Sequence, residues 1–334
     1  MPVEPKTQAF LDSLWAASGR PIYTLSPDAA RRVLARAQSG GVPRLPADIE
    51  DTTFPVGPTG SVRVRIVRPR GARAQGGSLP VVLYFHGGGW ILGDRDTHDR
   101  LVREIANGAS VAVVFVDYDR SPEARYPDPL EQGYAATKYV AEHADSLRVD
   151  ASRLAVAGDS VGGNMATAVA WLAKERKGPP IAFQLLFYPV TDAHFDTPSY
   201  RQFADGHWLT RAAMKWFWDA YCPDLARREE PSASPLRCPL EALEGMPRAL
   251  IIVGENDPLR DEGEAYAARL AEAEVAVTSV RYNGTIHDFV LLDALRDTPA
   301  ARAAIWQANA ALRSALSVPP RQAVPEALHE VEPA

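Results

Sequence analysis

Short apolar runs alternate with helical patterns from about Ile49 onward, and that alternation limits the possible folds more than any other feature of the chain. Residues 62–67 (Val-Arg-Val-Arg-Ile-Val) alternate with period two, which suits a strand with one wet face. Residues 81–85, 111–116, 154–157, 183–187 and 249–253 are near-continuous apolar runs, the pattern of parallel strands covered on both faces. A last strand is predicted over 275–282. Helical patterns lie between them, near 130–143, 162–174, 262–272 and 300–316. Such an order predicts an α/β protein: a mostly parallel sheet with right-handed crossovers, flanked by helices.

Two segments break the rhythm. The N-terminal stretch to about Gly40 carries helical patterns around Phe10, Leu11, Leu14 and Trp15, and again around Ala29, Val33 and Leu34. The other lies between Pro189 and Arg248 and holds Trp208, Met214, Trp216, Phe217, Trp218 and Tyr221. An aromatic-rich helix interrupting a sheet is a candidate cap over a site, or else an ordinary packing helix; insertions of this kind tend to carry function. The tail from Val318, rich in Pro, Ala and Glu, reads as loosely attached.

A net charge of -6 argues against a phosphate-binding surface, so nucleic acid is not an expected partner. No stretch is apolar and long enough to span a bilayer, and the start lacks the basic head and apolar run of a signal peptide. Two cysteines, Cys222 and Cys238, make neither a disulfide scaffold nor a metal-ligand set; free thiols in a reducing cytoplasm are the natural reading.

Within this frame, Gly158-Asp159-Ser160-Val161-Gly162 stands between an apolar strand and a helical run. Glycines on both sides of a serine permit a sharp turn that lifts the hydroxyl out at the carboxyl end of the sheet. A serine N-cap in a glycine-rich loop would share the local pattern. A second glycine cluster, His86-Gly87-Gly88-Gly89-Trp90, follows the strand 81–85. Three consecutive glycines are costly to order, so bare backbone is needed there, either for a tight turn or for amides aimed at a developing oxyanion. Gly88, Gly89 and Val161 are the candidate donors.

A serine nucleophile needs a base and a carboxylate to orient it. Of the seven histidines, His86 and His98 belong to the glycine turn and its sequel. His143 falls on a helical pattern, His194 and His207 on the insertion, and His329 on the tail. His287 follows the last predicted strand, at the end where Ser160 should emerge. Asp257 follows the strand 249–253, and Pro258 fixes a turn there. The order Ser160, Asp257, His287 is that of α/β hydrolases.

These motifs, together with Asp257-Pro258-Leu259-Arg260-Asp261-Glu262-Gly263 and Ile286-His287-Asp288-Phe289, closely resemble those of the hormone-sensitive-lipase-like (family IV) bacterial carboxylesterases. The resemblance spans about 81–292. It implies an α/β-hydrolase fold with an eight-stranded sheet and a helical cap. Applied to this chain, it implies cap helices at 1–45, a catalytic domain in two parts (46–194 and 236–317), a cap insertion at 195–235 and a flexible tail at 318–334. It implies hydrolysis of short-to-medium acyl esters by Ser160, Asp257 and His287, with no cofactor and no metal. The expected partner is a small-molecule ester, without stable membrane association, and relatives of this kind often form homodimers. Trp90, Trp208 and Phe217 are the candidate substrate-binding residues. An amidase or carbamate hydrolase on the same triad, or a lipase acting on aggregates, would use the same motifs; a non-catalytic receptor would have lost the base. Three departures stand out: Val161 where alanine is usual, Asp288 where glycine is usual, and the charged run 116–123 where Tyr-Arg-Leu-Ala-Pro-Glu is usual.

Overall fold

The apolar runs become the centre of an eight-stranded sheet. In the computed structural model, which describes residues 2–17, 19–72 and 77–317, the strands are β1 (Ala47–Phe54), β2 (Val62–Pro69), β3 (Leu79–Phe85), β4 (Ala112–Asp117), β5 (Val149–Asp159), β6 (Phe183–Phe187), β7 (Arg248–Asn256) and β8 (Val277–Ile286). Their spatial order is β1-β2-β4-β3-β5-β6-β7-β8. The pairs β1/β2 and β2/β4 are antiparallel, and all the others are parallel.

The unbroken hydrophobicity of the central strands has a direct cause. Alternate residues of β3 enter opposite layers: Val81, Leu83 and Phe85 pack with the layer holding helices Asp128–Glu142 and Val161–Glu175, while Val82 and Tyr84 pack with helices Asp99–Ala109 and Pro299–Ser317. All five are wholly buried. Each such aliphatic side chain contributes roughly 1.5–3 kcal/mol by leaving water. β2 keeps the predicted wet face, with Val62, Val64 and Ile66 buried while Arg63 is exposed.

The N-terminal patterns form helices Pro5–Ala16 and Pro27–Ala37, capped by the side chains of Glu4 and Ser26. The insertion forms helices Pro198–Gln202 and Arg211–Tyr221, capped by Thr197 and Thr210. Both segments lie over the carboxyl ends of the strands, where a shared cavity opens. The tail from Val318 and His329 fall outside the described residues. Cys222 and Cys238 are free and buried.

Two differences from the sequence reading bear on the site. Helix Asp99–Ala109 was not anticipated, although its buried residues Leu101, Val102, Ile105, Ala106 and Ala109 have helical spacing. β8 also runs on to Ile286, so His287 stands directly at a strand end rather than in a free loop. Asn283-Gly284 resembles a turn in sequence, but Glu255 Oε2 accepts the Gly284 amide at 2.7 Å and holds the strand on course.

Candidate active site

The turn after β5 is as tight as its glycines suggest. Ser160 has φ 56° and ψ -121°, outside the ordinary wells for a side-chain-bearing residue. A Cβ on Gly158 would overlap the Gly162 carbonyl, and one on Gly162 would overlap the carbonyl of Phe85. Helix Val161–Glu175 begins at the next residue, so the Ser160 hydroxyl sits at a helix N-terminus.

The three residues singled out for catalysis come together there. Ser160 Oγ lies 2.9 Å from His287 Nε2, and His287 Nδ1 lies 2.7 Å from Asp257 Oδ2. The other Asp257 oxygen accepts the Leu259 amide at 2.8 Å, which fixes the carboxylate. All three side chains are buried. Burial pulls the imidazolium of His287 down, but Asp257 and then Asp288 outweigh it and push its pKa up to about 9. Only neutral imidazole can take a proton from serine. The acid limb of kcat/KM is therefore expected well to the alkaline side of histidine's ordinary 6.5, toward about 9. A pH–rate profile with its limb at or below 6.5 would contradict this balance of charges.

The glycine turn faces this group. Gly88 and Gly89 have φ 102° and 64°, and a Cβ on Gly89 would collide with the Phe217 ring. Among the described residues, the amides of Gly88 and Gly89 have no protein acceptor. Val161, first in its helix, has no intrahelical acceptor. Three candidate oxyanion donors thus stand beside Ser160.

Asp159 fastens the two turns to each other, a role that sequence reading missed. Its Oδ1 accepts from the Gly87 amide at 3.1 Å and from the Tyr84 hydroxyl at 2.7 Å, and its Oδ2 lies 3.3 Å from His98 Nε2. Burial opposes its charge, but His98 beside it and these donors hold its carboxyl below the usual range. The same carboxylate outweighs burial at His98 and raises that imidazole. His86, by contrast, is pulled down to about 3 by burial and by His98, and brackets the turn as a neutral ring through Gly87 O at 2.9 Å. An aspartate before the serine, with a histidine shortly after the glycine turn, was the available signal.

A cavity of about 210 Å3 opens onto Ser160 and His287. Trp208 and Phe217 line it, as do Tyr23 and Leu34 from the N-terminal segment. Trp90 does not, which corrects its assignment to substrate binding. Its backbone leaves the glycine turn at φ 58° and its ring is wholly buried, stacked on Tyr221 at 4.0 Å and edge-on to Trp218. Val161 is likewise wholly buried in the core and absent from the cavity wall, so its extra bulk does not narrow the site. The charged run 116–123 is absorbed locally. Gln132 bonds both the amide and the carboxylate of Asp119 (2.8 and 2.7 Å), and Arg31 grips Glu123 at 2.6 Å.

The N-terminal segment is stitched to the residues after His287. Gln38, just beyond helix Pro27–Ala37, donates to the carbonyls of Leu291 (2.8 Å) and Thr97 (2.9 Å) and accepts the Asp293 amide (3.0 Å). Arg100 donates to the carbonyls of Val290 and Leu291 and to Asp293 Oδ1, each at 2.7 Å.

The chain is similar to known hydrolases over most of its length. A family described as having the alpha/beta hydrolase fold matches residues 82–291. Carboxylesterase NlhH of Mycobacterium tuberculosis is 40% identical over 269 residues, covering 80% of this chain and 83% of its own. An ethyl acetate hydrolase of Pseudomonas putida is 35% identical over 303 residues, covering 88% and 94%. The crystal structure of a thermostable esterase from Pseudomonas putida ECU1011 superimposes with a TM-score of 0.92 at 51% identity, covering 95% of this chain and 98% of that one. The chain belongs to the hormone-sensitive-lipase-like family of α/β hydrolases, and it is a carboxylic ester hydrolase.

Proposed function

We propose that Ser160, His287 and Asp257 hydrolyse short-to-medium acyl esters through an acyl-enzyme intermediate. The observation that carries this reading is the continuous chain Asp257–His287–Ser160, with spacings of 2.7 and 2.9 Å, opening on a cavity beside unpaired amides. His287 Nε2 takes the proton of Ser160 as Oγ attacks the ester carbonyl, and Asp257 stabilises the imidazolium. The carbonyl oxygen, now negative, is met by the amides of Gly88, Gly89 and Val161. Nε2 then gives its proton to the departing alcohol. Water enters, loses a proton to the same nitrogen and releases the acid.

The segments 1–45 and 195–235 act together as a cap. They wall the cavity through Tyr23, Leu34, Trp208 and Phe217, so substrate length is set by the space between them and the Ser160 turn. Two buried free thiols suit a reducing, cytoplasmic setting.

Two measurements test this. A fluorophosphonate should label the protein once, on the peptide holding Ser160; labelling elsewhere would overturn the nucleophile. Among nitrophenyl esters, kcat/KM should peak at two to six acyl carbons, and a peak beyond ten would overturn the length assignment.

A further inference from the structure

Asp288 places a second carboxylate on the substrate side of the catalytic histidine. Its backbone is left-handed, at φ 63°, and the residue is 8% exposed. One oxygen, Oδ2, accepts the indole N–H of Trp208 at 2.9 Å. The other, Oδ1, lies 3.6 Å from His287 Nε2 and has no hydrogen-bond partner among the described residues. Among the described residues lining the cavity, Asp288 is the only carboxylate. The one lysine or arginine among those described residues, Arg20, is exposed and donates to Thr24 O at 2.8 Å.

Its position relative to the reaction follows from the role of Nε2. That nitrogen must reach the leaving oxygen within hydrogen-bond distance to protonate it. Asp288 lines the cavity with Oδ1 3.6 Å from the same nitrogen, and so stands near the position that the leaving oxygen must take. In a site shielded from water, a charge on the leaving alcohol interacts strongly with a carboxylate.

We propose that Asp288 sets the charge preference of the leaving-group side: esters whose alcohol carries a cation near the scissile oxygen are favoured, and those whose alcohol carries a carboxylate are rejected. This rests on the assignment of Ser160 and His287 made above. The rejection of an anion is as much a part of the preference as the attraction of a cation. Trp208 donates to Asp288, and the titratable groups whose charges reach it are His287, Asp159, His98, Tyr84 and Tyr188. Burial raises its pKa, and Asp159 adds to that while His287 opposes it. The discrimination therefore weakens as pH falls through that raised value.

The test compares kcat/KM for three acetate esters: acetylcholine, its uncharged isostere 3,3-dimethylbutyl acetate, and 3-acetoxypropanoate. Asp288→Asn is the informative variant, because asparagine tolerates a left-handed backbone and still accepts from Trp208. The ratio of acetylcholine to the neutral ester should fall about tenfold or more in Asp288→Asn, and the ratio of acetoxypropanoate to the neutral ester should rise by a similar factor. Asp288→Gly, which also removes the charge, should move both ratios the same way. Ratios within twofold of wild type in Asp288→Asn would overturn the proposal. So would ratios that change only in the glycine variant, since Asp288 would then serve to hold Trp208. If Ser160→Ala hydrolysed these esters unimpaired, the triad assignment would fall instead.

Discussion

Ser160→Ala is expected to lower kcat for a nitrophenyl acetate by about 10³ or more, and toward 10⁶ if Ser160 and His287 act as one unit. KM should change little, because the cavity wall and the amides of Gly88, Gly89 and Val161 remain. The residual rate reports what those amides contribute without a nucleophile. Folding should be nearly unaffected. Alanine meets the same left-handed penalty at φ 56° that serine already meets, and the lost hydroxyl bonds only His287. The measurement is steady-state kinetics together with an unfolding midpoint on the same preparation. Activity within tenfold of wild type would remove Ser160 from the mechanism.

Asp159→Ala should be the more damaging change to stability. The substitution strips one wholly buried carboxylate from three partners: the Gly87 amide, the Tyr84 hydroxyl and His98. Breaking a buried charged pair from one side typically costs about 3–5 kcal/mol, since the remaining partner is left without compensation. The urea midpoint should drop accordingly. Activity should also fall by about 10² in the fraction that stays folded, because the glycine turn loses its tie to the Ser160 turn and small displacements of catalytic groups are expensive. Asp159→Asn keeps an acceptor for Gly87 and Tyr84 and should lose less. A loss of under 1 kcal/mol in the alanine variant would show that the turns hold their positions without this link.

The strands that read as continuous apolar runs are those whose burial is two-sided. β3 and β4, like β5–β7, are apolar because both faces are covered, so their positions need no tertiary knowledge. β1 was not individually legible. It is an edge strand in which only Phe54 is buried, and Asp48, Glu50 and Asp51 give it no apolar stripe. Helix Asp99–Ala109 had the right spacing, but Gly108 and the charges between its apolar residues obscured it.

The same distinction holds at the site. Ser160, Asp257 and His287 could be nominated because each follows a strand and their order is constrained. What the neighbouring side chains do depends on backbone angles that no local pattern reveals. Trp90 and Asp288 both adopt positive φ, at 58° and 63°; one turns its ring into the core and the other turns its carboxylate toward the histidine. Asp159 has no role that its own neighbours in sequence reveal, because its partners come from residues 84–98, which folding alone brings near.

The stitching at Gln38 has a consequence for how such a protein can be altered, by design or by descent. The segment that walls part of the cavity also braces the stretch that follows His287, so the cavity wall and the histidine share a support. Exchanging the first forty residues for those of a relative would import a new pocket wall and at the same time withdraw three hydrogen bonds from the carbonyls of Thr97 and Leu291 and the amide of Asp293. A functional graft must therefore bring its own glutamine, or an equivalent two-way donor and acceptor, in the same place. The wall and the base form one inherited unit, and a chimera is better cut on either side of that unit than through it.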